Sequence, residues 1–198
     1  MMLEYLKNID QSVFFFLNGS NNPFLDSMMF QATNTLVWLP LYVFFIFLVI
    51  RQYKWQAIPV VVFAAVMILI SDQLCNLAKE YFHRFRPSND PSLPPVHIVY
   101  GYRGGAYGFY SSHASNTFAV AMFLIIIAGS QWRFLPFIFI SWALLVSYTR
   151  IYLGVHFPGD ILTGAVMGMI IGYLFGKLCM RAVLVISERI RKKKMGAG

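Results

Sequence analysis

The sequence predicts an all-α integral membrane protein built as a single domain. Three observations carry that reading. Hydrophobic residues make up 58% of the 198, above the roughly 45–50% of a soluble domain. They gather in continuous apolar runs close to the roughly 20 residues a membrane helix needs. Charged residues, only 12% of the chain, lie mostly between those runs.

The elements follow in order. Residues 3–17 mix charge with a short apolar cluster, which predicts an amphipathic interfacial helix ending at Asn18-Gly19. A first span is expected over 24–50, with Asp26, Gln31 and Asn34 diluting its start. The basic loop "RQYKW" leads to a second span over 57–77, continuing as helix past Lys79. Residues 84–111 form one long connection rich in Pro, Gly and Tyr, of the kind that is functional or disordered. Spans over 113–129 and 134–149 follow, joined by a tight turn from Gly129 to Arg133, and a fifth span covers 158–180. About five spans are therefore expected, with the motif-bearing core at about 57–180 and a basic tail at 181–198.

The net charge of +8 does not indicate a nucleic-acid binder, because much of the excess sits in the tail "SERIRKKKMGAG". A basic stretch after an apolar span marks a cytoplasmic end. Cys75 and Cys179 lie in or beside apolar segments without metal-ligand spacing and are expected as buried free thiols. No cleavable signal peptide is expected.

Three polar clusters then stand out: "KEYFHRFRP" closing the second span, "YSSHAS" opening the third, and "RIYLGVHFPGD" between the fourth and fifth. An up-and-down path brings all three to one membrane face. Lys79, Arg86 and Arg150 would there present three cations to a phosphate. His113 and His156 can divide the labour of attack and proton donation. Pro158 suits a first helical turn, which places Asp160 to orient one imidazole. The Ser111 hydroxyl and the N–H groups opening the third span can add to a phosphate cradle. Arg84 and Arg103 read instead as snorkelling side chains, and His83 and His97 as interfacial hydrogen-bonders. Asp72, on the same helical side as Asn76 and Lys79, reads as a structural partner for a cation or a neighbouring span.

In this order the motifs resemble the type 2 phosphatidic acid phosphatases, the membrane branch of the lipid phosphatase and vanadium haloperoxidase superfamily. The first motif, K-x6-RP, is intact, as is the third at Arg150, His156 and Asp160, with Thr149 where serine is usual. In the second, Tyr110 replaces a proline and Ser112 a glycine, while Ser111 and His113 remain. The resemblance implies His156 as the nucleophile forming a phosphohistidine, Asp160 as its partner and His113 as the general acid. It implies Lys79, Arg86, Ser111 and Arg150 as phosphate binders, with the Ser112 and His113 amides contributing and no metal or cofactor.

The expected function is hydrolysis of a lipid phosphate or diphosphate. Undecaprenyl diphosphate is the favoured substrate; phosphatidylglycerophosphate, phosphatidic acid, lipid A 1-phosphate and transfer to a second lipid are the alternatives. A transporter would more often show internal repeats, and a haloperoxidase would be soluble. Placing the clusters outside leaves ten of the 16 basic residues on the cytoplasmic side, as the positive-inside bias requires. The expected setting is a bacterial inner membrane, with the site facing outward and the C-terminus in the cytoplasm.

Overall fold

The computed structural model describes residues 2–129 and 134–195. Among the described residues the α-helices are α1 (Met2–Asn18), α2 (Pro23–Ala32), α3 (Leu39–Tyr53), α4 (Ala57–Phe82), α5 (Ser112–Ala128), α6 (Leu135–Tyr152) and α7 (Pro158–Met195). The chain is an all-α integral membrane protein with an N-terminal amphipathic helix, and α3 to α7 are its apolar helices. Residues 35–82, 135–152 and 158–192 are each long and apolar enough to cross a membrane, and α5 is a shorter apolar helix. The first of these stretches is two helices, because the chain turns at Lys54 (φ 52°) between α3 and α4.

The expected first span is broken in two. Asn22 caps α2 through Leu25 N–H, with Pro23 at its first position. Asn34 then accepts from Leu36 N–H and starts a short 3₁₀ turn over Thr35–Trp38. Asp26, too polar for a lipid-facing helix, points inward to Tyr152 Oη at 2.7 Å and His97 Nε2 at 2.9 Å. α2 is thus a helix separate from the apolar α3 that follows it.

α5 is the central helix and packs on α4, α6 and, most extensively, α7. The α7 side of that contact is a row of glycines four residues apart. A Cβ on Gly168 would lie 2.2 Å from Ser115 O, and one on Gly172 would lie 2.3 Å from Ala119 O. Small residues at this spacing let two helix backbones approach closely. Buried Phe45, Phe139 and Trp142 fill the layer between α3 and α6.

The long connection is ordered. Phe85 and Tyr107 form an isolated antiparallel bridge, flanked by Arg86 N–H to Ala106 O and Gly108 N–H to Arg84 O. The Asn18 amide ties the loop to α6 by accepting from His97 N–H and donating to Tyr152 O. The helix of the fifth span runs on without a break through most of the expected tail. The turn expected at Gly129–Arg133 lies outside the described residues. Both cysteines are free and buried.

Candidate active site

Four backbone features bring the three clusters together. His83, in the left-handed conformation (φ 48°), ends α4 and swings 84–86 back over the bundle. Ser111 caps α5 with its Oγ 3.4 Å from Ala114 N–H, leaving the first N–H groups of the helix free to face an anion. Its own N–H donates to Asp160 O at 3.1 Å, locking the start of α5 to α7. Gly154 (φ 75°) packs so tightly that a Cβ would sit 2.7 Å from His97 O, and it turns the chain from α6 towards His156.

His156 is 2% exposed and Asp160 is fully buried. The imidazole Nε2 lies 3.1 Å from Arg86 Nη1, and Nδ1 faces Asp160 Oδ2 at 3.5 Å. A guanidinium only donates, so Nε2 is the lone-pair nitrogen and the proton sits on Nδ1, towards the carboxylate. Burial, and then the charges of Arg86, Arg150 and Lys79, hold the His156 pKa well below its usual value. The ring is therefore neutral, with a free electron pair aimed into the cluster.

Each of the three cations rests on neutral partners. Lys79 Nζ donates to Ser112 Oγ at 2.6 Å. Arg86 donates to the carbonyls of Tyr107 and Val155 besides His156. Arg150, 2% exposed, donates to Thr33 Oγ1 and Tyr102 Oη, and its buried Nε has no hydrogen-bond partner among the described residues. None of the three forms an ion pair among the described residues. Arg150 is buried and Lys79 and Arg86 are half-buried; unpaired cations withdrawn from water are costly, and an anion seated between them would offset that cost.

The remaining expected residues fall as follows. His113 and Ser112 face a cavity of about 560 Å³ between α3, α4, α5 and α6. Its rim holds Thr33, Thr35, Asp72 and Asn116, and its depth is lined by apolar side chains such as Val60 and Phe123. The Ser112 hydroxyl, at the position where the resemblance expects glycine, is the rest for Lys79. Asp72 acts on Lys79 only through its charge and makes no hydrogen bond among the described residues. No cluster of three or more metal-ligating side chains occurs among the described residues.

One expectation is corrected. Arg84 does not snorkel: it is held between Asp160 Oδ1, at 2.7 Å, and Asp10 Oδ2. Arg103 is exposed as expected but also donates to Ser88 O, and His97 is a hydrogen-bonder, to Asp26. Sequence reasoning missed Asp10, Thr33 and Tyr102, which belong to no motif. It also missed Gly108, where a Cβ would come within 3.4 Å of both Asp160 Oδ2 and His156 Nδ1.

An apolar helical bundle with this cluster at its rim describes a class, the integral membrane phosphatases. Comparison with known proteins sharpens it. The family model "PAP2 superfamily" matches residues 57–184. The chain is 40% identical over 178 residues to a lipid A 4'-phosphatase of Bacteroides thetaiotaomicron, covering 88% of this chain and 78% of that protein. It is 36% identical over 183 residues to a lipid A 4'-phosphatase of Porphyromonas gingivalis, covering 91% and 77%. An undecaprenyl-diphosphatase of Sulfolobus acidocaldarius is more distant, 27% identical over 138 residues, covering 70% and 61%. In fold, the chain matches the crystal structure of a transmembrane PAP2-type phosphatidylglycerolphosphate phosphatase from Bacillus subtilis. That match has a TM-score of 0.68 at 21% identity and covers 89% of this chain and 87% of that one. The protein belongs to the PAP2 superfamily and is a membrane lipid phosphatase.

Proposed function

We propose that this enzyme removes a phosphate monoester from a phosphorylated glycolipid, as a lipid A 4'-phosphatase. The observation that carries the substrate is the 40% identity, over 88% of the chain, to a protein of that activity. Undecaprenyl diphosphate, the substrate favoured in the sequence analysis, has its support in the more distant relative. The cavity suits the glycolipid reading: its polar rim at Asp72 and Asn116 would meet sugar hydroxyls, and its apolar depth an acyl chain.

The chemistry follows from the geometry. Lys79, Arg86, Arg150 and the α5 amides hold the phosphate, with Arg86 moving its Nη1 from His156 Nε2 to a phosphate oxygen. The Ser111 hydroxyl caps α5 and holds that helix start in place. His156 Nε2 attacks phosphorus, and the P–O bond to the sugar breaks as His113 gives its proton to the leaving oxygen. Asp160 faces the Nδ1–H and offsets the positive charge that builds on the ring. A water, deprotonated by His113, then attacks the phosphohistidine. The N–P bond breaks and inorganic phosphate departs.

Purified enzyme should release phosphate from lipid A bearing a 4'-phosphate faster than from undecaprenyl diphosphate or phosphatidylglycerophosphate. Mass spectrometry should locate the loss at the 4' position. A preference for the prenyl diphosphate would overturn the substrate assignment. Because side-chain cations hold the phosphate, EDTA should leave the rate unchanged and vanadate should inhibit; a strict Mg²⁺ requirement would remove the clamp from the mechanism.

A further inference from the structure

The four cations near His156 are not alike. Three rest on neutral groups, whereas Arg84 is clamped between two carboxylates. It cannot turn to a phosphate without stranding Asp160, which has no access to water. We propose that Arg84 and Asp10 are positioning residues, through which the amphipathic helix α1 fixes the orientation of the nucleophilic histidine.

Each link is a direct contact. Asp160 Oδ1 accepts from Arg84 Nη1 at 2.7 Å, and Oδ2 accepts from Phe157 N–H at 3.0 Å. With both oxygens held, the carboxylate plane is fixed, and Oδ2 is presented to His156 Nδ1. The Arg84 guanidinium also lies over the Phe157 ring, 4.3 Å from its centroid. Its other nitrogen donates to Asp10 Oδ2, while Asp10 Oδ1 accepts from Gly159 N–H at 2.7 Å. Asp10 thus grips both the arginine and the first turn of α7. A Cβ at 159 would stand 2.9 Å from Asp10 Oδ2, so a larger residue there would displace the carboxylate from that grip. One turn along α1, buried Phe14 packs edge-on against Phe157. Asp10 and Phe14 share one face of α1, so docking the apolar side chain delivers the carboxylate.

Charge adds to orientation. The charged and titratable groups around Asp160 are Arg84, Arg86 and His156, with Asp10 beyond Arg84. Arg84 is the cation in direct contact and favours the ionised carboxylate, the form that can accept from the imidazole. Without Arg84, a buried carboxyl would take up a proton more readily, and His156 Nδ1 would lose the negative charge it faces.

The inference rests on His156 as nucleophile, and the test separates the two. Full-length Arg84→Gln, Arg84→Lys, Asp10→Asn and His156→Ala are compared with the unaltered protein on lipid A bearing a 4'-phosphate. Folded fraction, KM, kcat and its pH profile are measured, together with phosphohistidine in alkali-quenched samples. Arg84→Gln should lower kcat by roughly 10- to 100-fold, the scale for partners one shell behind a functional histidine. KM should hold and the acid limb of kcat should move to higher pH. Arg84→Lys should restore the acid limb but only part of kcat, because an ammonium cannot fork between two carboxylates. Asp10→Asn should act in the same direction with a smaller loss, and it keeps the test alive if the arginine variants do not fold. A raised KM at unchanged kcat would make Arg84 a substrate-binding cation. A lowered melting temperature with unchanged kcat per folded enzyme would make the bridge structural. Either result overturns the proposal. Phosphohistidine surviving in His156→Ala would instead overturn the nucleophile reading beneath it.

Discussion

Arg150 is the side chain on which the site depends most heavily. It is 2% exposed, its guanidinium hydrogen-bonds only to hydroxyls among the described residues, and its Nε has no hydrogen-bond partner among them. Arg150→Lys removes the planar fork, so kcat/KM should fall about 100-fold or more, with vanadate affinity falling in parallel. A variant that loses turnover but binds vanadate normally would contradict that role. His156→Ala should be almost inactive, since a covalent route needs its nucleophile. His113→Ala should keep its vanadate affinity and turn over very slowly; a normal rate would remove His113 as general acid. The motif residues were legible in sequence because spacing fixes them: His156 and Asp160 stand four apart, and Lys79 and Arg86 flank one helix end. Arg84 was not, because its partner Asp10 lies 74 positions away. No local pattern distinguishes a bridging arginine from a snorkelling one.

Among the helices, the α5–α7 seam decides whether the two halves of the site meet. His113 opens α5 and Asp160 opens α7. Between them Gly164, Gly168, Gly172 and Gly176 hold the two backbones close. Adding one methyl at Gly168 would push it into Ser115 O, an overpacking that costs about 1–3 kcal/mol. Gly168→Ala should therefore lower both the melting temperature and kcat, while Gly105→Ala, where a Cβ meets nothing within 4 Å, should change neither. Unaltered activity in the first variant would mean that the seam does not set the site. That row of glycines is plain in the sequence as a four-residue spacing, but spacing does not say which neighbour it faces. The break after α2 was half legible. Asn22-Pro23 and Asn34 are ordinary start signals, but the apolar run around them reads as one span until Asp26 finds Tyr152 and His97 inside the protein.

At the scale of the whole molecule the clusters converge at one end of the bundle, as an up-and-down path requires. The direction in which that end faces is a prediction. With the site outside, Arg51, Lys54 and the basic end of α7 lie in the cytoplasm, in line with the positive-inside bias. In a background with Cys75 and Cys179 replaced, Gly105→Cys should react with an impermeant thiol reagent on intact cells, the outer membrane permeabilised if present. Glu188→Cys should stay protected. The reverse pattern would put the enzyme on cytoplasmic lipids. The unbroken course of α7 has its own consequence. Its 38 residues extend about 57 Å, nearly twice the roughly 30 Å of a hydrocarbon core. Set near the bilayer normal, the helix would outrun the hydrocarbon core and project from it as a stalk. Arg191 stands ten residues, about 15 Å, beyond Arg181 along its axis. That exceeds the screening length of about 8 Å at physiological salt. Lys177 and Arg181 would then act in the headgroup layer, while Arg189 to Lys192 belong to the surrounding water.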